Sequence, residues 1–208
     1  MGVANDLWTV SSQSLLTRYV DKKPVLQINV ATGSTELTID NLGFVYVLSG
    51  GNTVTVFNEL GKISSTTSVV AEHIDYDQST GVFYISNGLI ITPLDPNFVP
   101  ITTRKISLQL ATKITRFRAS NGRFAVLDTY PKIYVSRLVG GSYFGANTSY
   151  AGIVANDVAL TSTQMYATDS QTRIFEVDPN GFLQNMHSVV GTGKFIDCRS
   201  GTYVTFPF

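Results

Sequence analysis

Hydrophobic and polar residues alternate with a period of two along most of this chain. "GFVYVLSG" (43–50), "NTVTVFNE" (52–59), "GVFYISNG" (81–88) and "TRIFEVD" (172–178) are short runs of β-branched and aromatic residues, each bounded by Gly, Asn, Asp, Ser or Pro. Such runs predict half-buried strands. The links between them, "SGGN" (49–52), "SNG" (86–88) and "DSQT" (169–172), have hairpin chemistry, because Gly and Asn tolerate positive φ. No segment has the 3.6-residue periodicity and end caps of an amphipathic helix. The pattern predicts an all-β protein.

The strands recur in groups. "DVALTSTQMYATDSQTRIFEVDPNG" (157–181) lies over "LTIDNLGFVYVLSGGNTVTVFNELG" (37–61) without a gap. Partial copies follow at 5–24, 74–95, 115–136 and 195–208. A marker position in the second strand of the unit falls on Trp8, Tyr46, Tyr84, Ala125, Tyr166 and Val204, at spacings of 38, 38, 41, 41 and 38 residues. About four antiparallel strands in a unit of roughly 40 residues is the signature of a β-propeller blade. The regular return of an aromatic at the marker predicts packing between blades.

The unit resembles the NHL-type blade, in which an apolar-Tyr-apolar strand is followed by a turn and an "R-I-x-V-F-D-x-x-G" strand. Tyr166, Arg173, Ile174, Val177, Asp178 and Gly181 carry the resemblance, as do Tyr46, Val56, Phe57, Asn58 and Gly61 less fully. It extends over nearly the whole chain and implies a propeller fold. It implies no particular activity.

Complete units begin near Glu36, His73, Ile114 and Asn156. Residues 1–33 supply three further strands without an innermost one, and residues 193–208 supply an innermost strand and one more. The sequence therefore predicts one domain over 1–208, a propeller of five four-stranded blades, its ring closed by mixing N- and C-terminal strands. A six-bladed ring with two incomplete blades is the alternative. Five is preferred because truncated blades leave apolar edges in water. The tally of 21 strands leaves one surplus strand, "TYVTFPF" (202–208). The Pro-rich stretch 92–103 is expected to be a loop inside a blade, and 137–152 a longer exposed loop.

Composition narrows the function classes. Hydrophobic residues make up 43% of the chain and charged ones 14%, against roughly 25% in an average domain, so a large core is available under a surface of hydroxyls and amides. Fifteen basic residues balance fifteen acidic ones. Neither nucleic acid nor an anionic membrane is an expected partner of a chain without basic excess. Cys198 is the single cysteine, which rules out an internal disulfide or a cysteine-based metal site. "MGVANDLW" has neither the charged nor the apolar region of a secretory signal, and no apolar run is long enough to span a bilayer as a helix. The expected setting is a virion or the cytoplasm.

Candidate chemistry is sparse. Asp75, Asp157 and Asp197 fall on innermost strands of three units, with Arg116 and Lys194 as possible channel partners. The three carboxylates are similar to the axial set of five-bladed furanosidases, but they do not occupy matching repeat positions. Asp75, Arg116, Asp157 and Asp197 are therefore read as axial polar residues, and no catalytic residue is assigned. His73 and His187 lie on different repeats. His73, Asp75 and Asp77 share one strand face and are considered as a cation site, but a metal site is not assigned, and no cofactor is expected. Tyr130, Tyr143, Phe144 and Tyr150 are expected in loops and form the candidate binding surface. The leading expectation is a non-enzymatic structural or docking propeller, bound to other protein subunits of an assembly such as a bacteriophage particle. A lectin-like glycan binder, possibly host-receptor binding, is the alternative, and a glycosidase ranks last.

Overall fold

The computed structural model describes residues 6–21, 23–108, 113–129, 133–139, 142–148, 155–161, 164–169, 173–178, 183–188, 193–199 and 202–207, with backbone alone over 133–139, 142–148, 193–199 and 202–207. These residues form 21 strands and one short 3-10 turn over Thr102–Arg104. The strands make six antiparallel meanders arranged as a ring of sheets, a β-propeller.

The N-terminal sheet holds β1 (Asp6–Val10), β2 (Leu15–Val20) and β3 (Lys23–Asn29). Four complete blades follow. Blade I is β4 (Ser34–Ile39), β5 (Val45–Ser49), β6 (Thr53–Phe57) and β7 (Ile63–Ser68); blade II is β8 (His73–Asp77), β9 (Val82–Asn87), β10 (Ile90–Pro93) and β11 (Ile106–Ser107). Blade III is β12 (Ile114–Ser120), β13 (Arg123–Asp128), β14 (Ile133–Val139) and β15 (Ser142–Thr148); blade IV is β16 (Ala155–Leu160), β17 (Met165–Asp169), β18 (Arg173–Val177) and β19 (Leu183–Ser188). A two-stranded sheet of β20 (Gly193–Arg199) and β21 (Thr202–Pro207) ends the chain.

The strand groups and their starting points agree with the sequence pattern. Among the described residues β20 and β21 remain a sheet of their own, and no ladder joins them to β1–β3. Four complete blades are flanked, among the described residues, by two partial sheets at the chain ends. Strand periodicity is local, whereas the joining of two chain ends depends on where the ring brings them. β1 packs beside β4 as β13 packs beside β16 and β17 beside β20. It therefore holds a second-strand place, and the N-terminal sheet lacks an innermost strand, as the repeat implies.

The core consists of the seams between sheets. Trp8 and Leu16 pack with Val45, Val47 and Phe57 of blade I. Leu48 and Val54 pack with Ile74, Ile85 and Leu94 of blade II, and Tyr84 and Ile91 pack with Ile114, Phe117 and Phe124 of blade III. Ala125 and Leu127 meet Val158, Met165 and Phe175 of blade IV. The marker residues Trp8, Tyr84 and Ala125 are buried against the following sheet, as their periodicity predicts. Each fully buried Phe, such as Phe117 or Phe124, contributes about 1.5–3 kcal/mol through its apolar area. The outer strands β7 and β19 are almost wholly exposed. Gly61 shows why the N-terminal sheet fits here: at φ +71°, its missing Cβ leaves room for Ile28 and Leu26 of β3.

One repeated feature is invisible in the residue pattern. The ladder register slips at the start of β4, β12, β16 and β20, after Ser34, Ile114, Ala155 and Gly193 respectively, while β8 pairs without a slip. Bulges of this kind bend a strand and increase its twist.

Candidate functional site

Register sorts the inner-strand polar residues into two levels. Glu36, His73, Arg116 and Asp157 pair with Leu48, Ser86, Leu127 and Thr168, each two residues past a marker. Thr38, Asp75 and Asp197 pair with the markers themselves. Asp157 thus lies on a different level from Asp75 and Asp197. The alignment mismatch seen in the sequence is real, and its structural source is the level at which each strand is cut.

These residues hold one blade to the next. The Thr38 hydroxyl donates to Asp75 Oδ1 (3.2 Å), and the Ala119 amide donates to Asp75 Oδ2 (2.7 Å). Asp75 therefore bridges blades I, II and III. Asp157, 1% exposed, lies 3.8 Å from Arg116 Nε and 3.9 Å from the Arg118 guanidinium across the seam between blades III and IV. Asp197 falls on β20, where only backbone is described.

His73 and Asp77, considered above with Asp75 as a cation site, have protein partners instead. The two ring nitrogens of His73 face acceptors, Glu36 Oε1 at 2.6 Å and the Ile114 carbonyl at 3.1 Å. A neutral imidazole has one N–H and cannot donate to both. Burial disfavours the charged ring, but the Glu36 hydrogen bond and charge outweigh it and raise the His73 pKa above its ordinary value. Asp77 is fully buried and accepts from the amides of Ser79, Asn121 and Gly122 and from the Ser79 hydroxyl. Burial opposes its ionisation, yet those donors hold its carboxyl below the usual range. Among the described residues no group of three or more His, Cys, Asp and Glu is placed to hold a metal ion.

The turns between first and second strands lie together on one end of the ring. Asn41 Nδ2 donates to the Gln78 carbonyl, Asp77 accepts from Asn121 and Gly122, and the Arg123 guanidinium donates to the Thr161 carbonyl. This turn face carries a groove of about 380 Å³ between blades I and II. Leu42, Phe44 and Tyr46 line it from blade I, Phe98 from the β10–β11 connection, and Ser64, Ser65 and Thr67 from β7. Leu42, at the tip of its turn, is 83% exposed.

Phe98 owes its place to an unusual turn. Asp40 Oδ1 accepts from the amides of Leu42 and Phe44, Asn58 Oδ1 from Leu60 and Lys62, and Asp95 Oδ1 from Asn97 and Val99. In all three turns the fourth residue is left-handed: Gly43 at φ +85°, Gly61 at +71° and Phe98 at +64°. Glycine adopts this conformation freely, while a side chain costs roughly 1–2 kcal/mol. The Phe98 ring stacks on Tyr46 (5.4 Å between centroids, 8° between planes) and lies 4.9 Å from Phe83. Tyr46 in turn donates its hydroxyl to Asp40 Oδ2 at 2.9 Å, and burial together with that carboxylate keeps its pKa above the ordinary value.

The sequence reading placed 92–103 inside a blade, which the structure bears out, but assigned it no role. The missed signal is the spacing Asp95-Pro-Asn-Phe-Val99 against Asp40-Asn-Leu-Gly-Phe44 and Asn58-Glu-Leu-Gly-Lys62, in which Phe stands where Gly belongs. The expected aromatic surface is placed differently. Tyr143 and Phe144 lie on β15, the outermost strand of blade III, because the ladder to β14 runs through 142–148; they are not in a loop. Tyr130 and Tyr150 lie outside the described residues.

No family model matches this chain, and no curated protein matches it in sequence. Solved structures match it in fold. The β-propeller domain of Myceliophteria thermophila Cps50 (Swd1) superimposes with a TM-score of 0.68 at 11% identity, over 93% of this chain and 86% of that one. The WD40 repeats of RRP9 match with a TM-score of 0.65 at 7% identity, over 92% and 80% of the two chains. BBS1N, solved in complex with ARL6DN, matches with a TM-score of 0.66 at 9% identity over 93% of this chain, which spans 64% of its length. The chain is a β-propeller, and its structural neighbours include WD40 propellers. Among the described residues no helix is long and apolar enough to cross a membrane.

Proposed function

We propose that this propeller is a non-enzymatic protein-interaction module, a subunit of a larger assembly, and that it docks a partner in the groove between blades I and II. The observation that carries the reading is Phe98, a bulky ring held in a glycine conformation beside a Leu42 side chain left in water. A left-handed backbone at a bulky residue is strain, and strain of this kind clusters at functional positions. Two of the inner-strand carboxylates considered for a hydrolase, Asp75 and Asp157, are instead engaged between blades. Propellers of this architecture meet protein partners, as BBS1N does in its complex with ARL6DN. Placement in a bacteriophage virion extends the proposal by analogy with small propellers of such particles. The NHL-like motif belongs to the same proposal, with Arg173 closing the β17–β18 hairpin through Asp169 (Nε to Oδ2, 2.7 Å).

The groove also supports a second reading, glycan binding, because the aromatic faces of Tyr46 and Phe98 stand beside the hydroxyls of Ser64, Ser65 and Thr67. Light scattering on the wild type and Leu42→Asp, each mixed with particles or extract from the source, separates the two. Docking predicts a high-mass complex for the wild type and a free Leu42→Asp chain. If both chains remain free while the wild type alone binds on a glycan array, the second reading replaces the first.

A further inference from the structure

The groove between blades I and II carries a charge as well as rings. Asp40, at the start of the turn between β4 and β5, lines it together with Phe44, Tyr46 and Phe98. Among the described residues that line the groove, Asp40 is the one charged side chain. Its carboxylate is held in place by neutral donors. Oδ1 accepts from the Leu42 and Phe44 amides, each at 2.9 Å, and Oδ2 accepts from the Tyr46 hydroxyl at 2.9 Å. Such donors orient a carboxylate without cancelling its charge, and of its roughly four acceptor sites they leave room for a further donor at Oδ2.

The rings beside it are placed by packing. Phe98 stacks on Tyr46, and Phe83 lies 4.4 Å from Tyr46 and 4.5 Å from Tyr76 between centroids. All four are half-buried, so the cluster fills the seam and still presents ring surface to water. The face of an aromatic ring is the negative end of its quadrupole and attracts a cation. Asp40 adds a full negative charge at the same wall. An aliphatic side chain in the groove would use the rings and leave that charge unmatched. A guanidinium matches both: it stacks flat on a ring, donates its N–H fork to a carboxylate, and is more weakly hydrated than an ammonium group.

We propose, resting on the docking reading, that the groove receives an arginine side chain of the partner, stacked against the Tyr46 and Phe98 rings and bonded to Asp40. The rings supply contact area, and the carboxylate selects the charged residue.

The test is an NMR titration of the full chain, read at the ring resonances of Tyr46 and Phe98. The probes are acetyl-arginine amide and acetyl-citrulline amide, its uncharged isostere. The arginine probe is expected to bind saturably and about tenfold more tightly, which is what an exposed cation–π contact and an exposed ion pair supply together. In Asp40→Asn the two probes are expected to bind alike. That variant keeps the turn, because Asn58 accepts the same pair of amide bonds in its own turn. The comparison of probes on the wild type needs no variant at all. A wild type that binds neither probe, or both equally, overturns the arginine site, as does an Asp40→Asn chain that still prefers arginine. The outcome is separable from that of light scattering. A chain that captures a partner without preferring arginine retains docking and loses the arginine. A chain that prefers arginine but captures nothing loses docking, while the selectivity of the groove stands.

Discussion

The seam between blades I and II and the seam between blades III and IV are built on the same repeat but carry different chemistry at their turn ends. At the turn face the first seam has Phe44, Tyr46 and Phe98 around a groove whose lining also includes Asp40. The second has the buried Arg123 bonded to Thr161 at the same repeat position as Phe44. Below the surface the two are alike: polar residues of one inner strand reach the next, Glu36 to His73 in the first and Arg116 to Asp157 in the second. The repeat therefore fixes where side chains meet between blades, while the residues at the ends of the turns remain free to differ.

The seams should break most readily at Asp77, which joins blade II to blade III. Asp77→Ala leaves the Asn121 and Gly122 amides without their acceptor and is expected to cost about 3 kcal/mol or more in chemical denaturation. A loss below about 1 kcal/mol would mean that these seams are held by apolar packing alone.

Phe98→Gly sharpens the contrast between surface and seam. It relieves about 1–2 kcal/mol of backbone strain and removes two ring contacts of about 0.5–1.5 kcal/mol each. The net change in stability is expected to stay within about 2 kcal/mol, while partner capture is lost. A strongly destabilised variant would make Phe98 a core residue and remove the argument from strain.

The smallest effect is the pH dependence of the first seam. His73 titrates above 6.5 in the folded chain, so its contribution is complete below that pH and is lost as pH rises through the folded value. Stability of the wild type relative to His73→Gln should fall as pH rises from 6 towards alkaline values, in denaturation curves taken at each pH. Asp77 has the opposite sign: its carboxyl is lowered from 3.8, so its contribution is present above that pH and is lost as the solution is acidified below it.

Much of this was legible in residue order. Trp8, Tyr46, Tyr84, Ala125 and Tyr166 mark second strands because a strand alternates and a blade must bury the same place each time. The roles of Glu36, Thr38, Asp75 and Asp77 were not legible, since each partner across a seam lies 37 to 45 residues away and several of those partners are backbone groups with no side-chain signature. Tyr143 and Phe144 were misplaced because Gly-rich sequence reads as loop, while the ladder to β14 continues through Gly145.

The sequence by itself determined the strand, the turn and the period. These depend on alternation, on Asp or Asn at the start of a turn and on glycine at its left-handed residue, all local properties. Only the tertiary structure decided which blades touch through which atoms, that the two chain ends stay in separate sheets among the described residues, and that Phe98 faces Tyr46 while Arg123 reaches Thr161. Those outcomes depend on distances across seams and on strand register, which a one-residue shift inverts and which no single segment encodes.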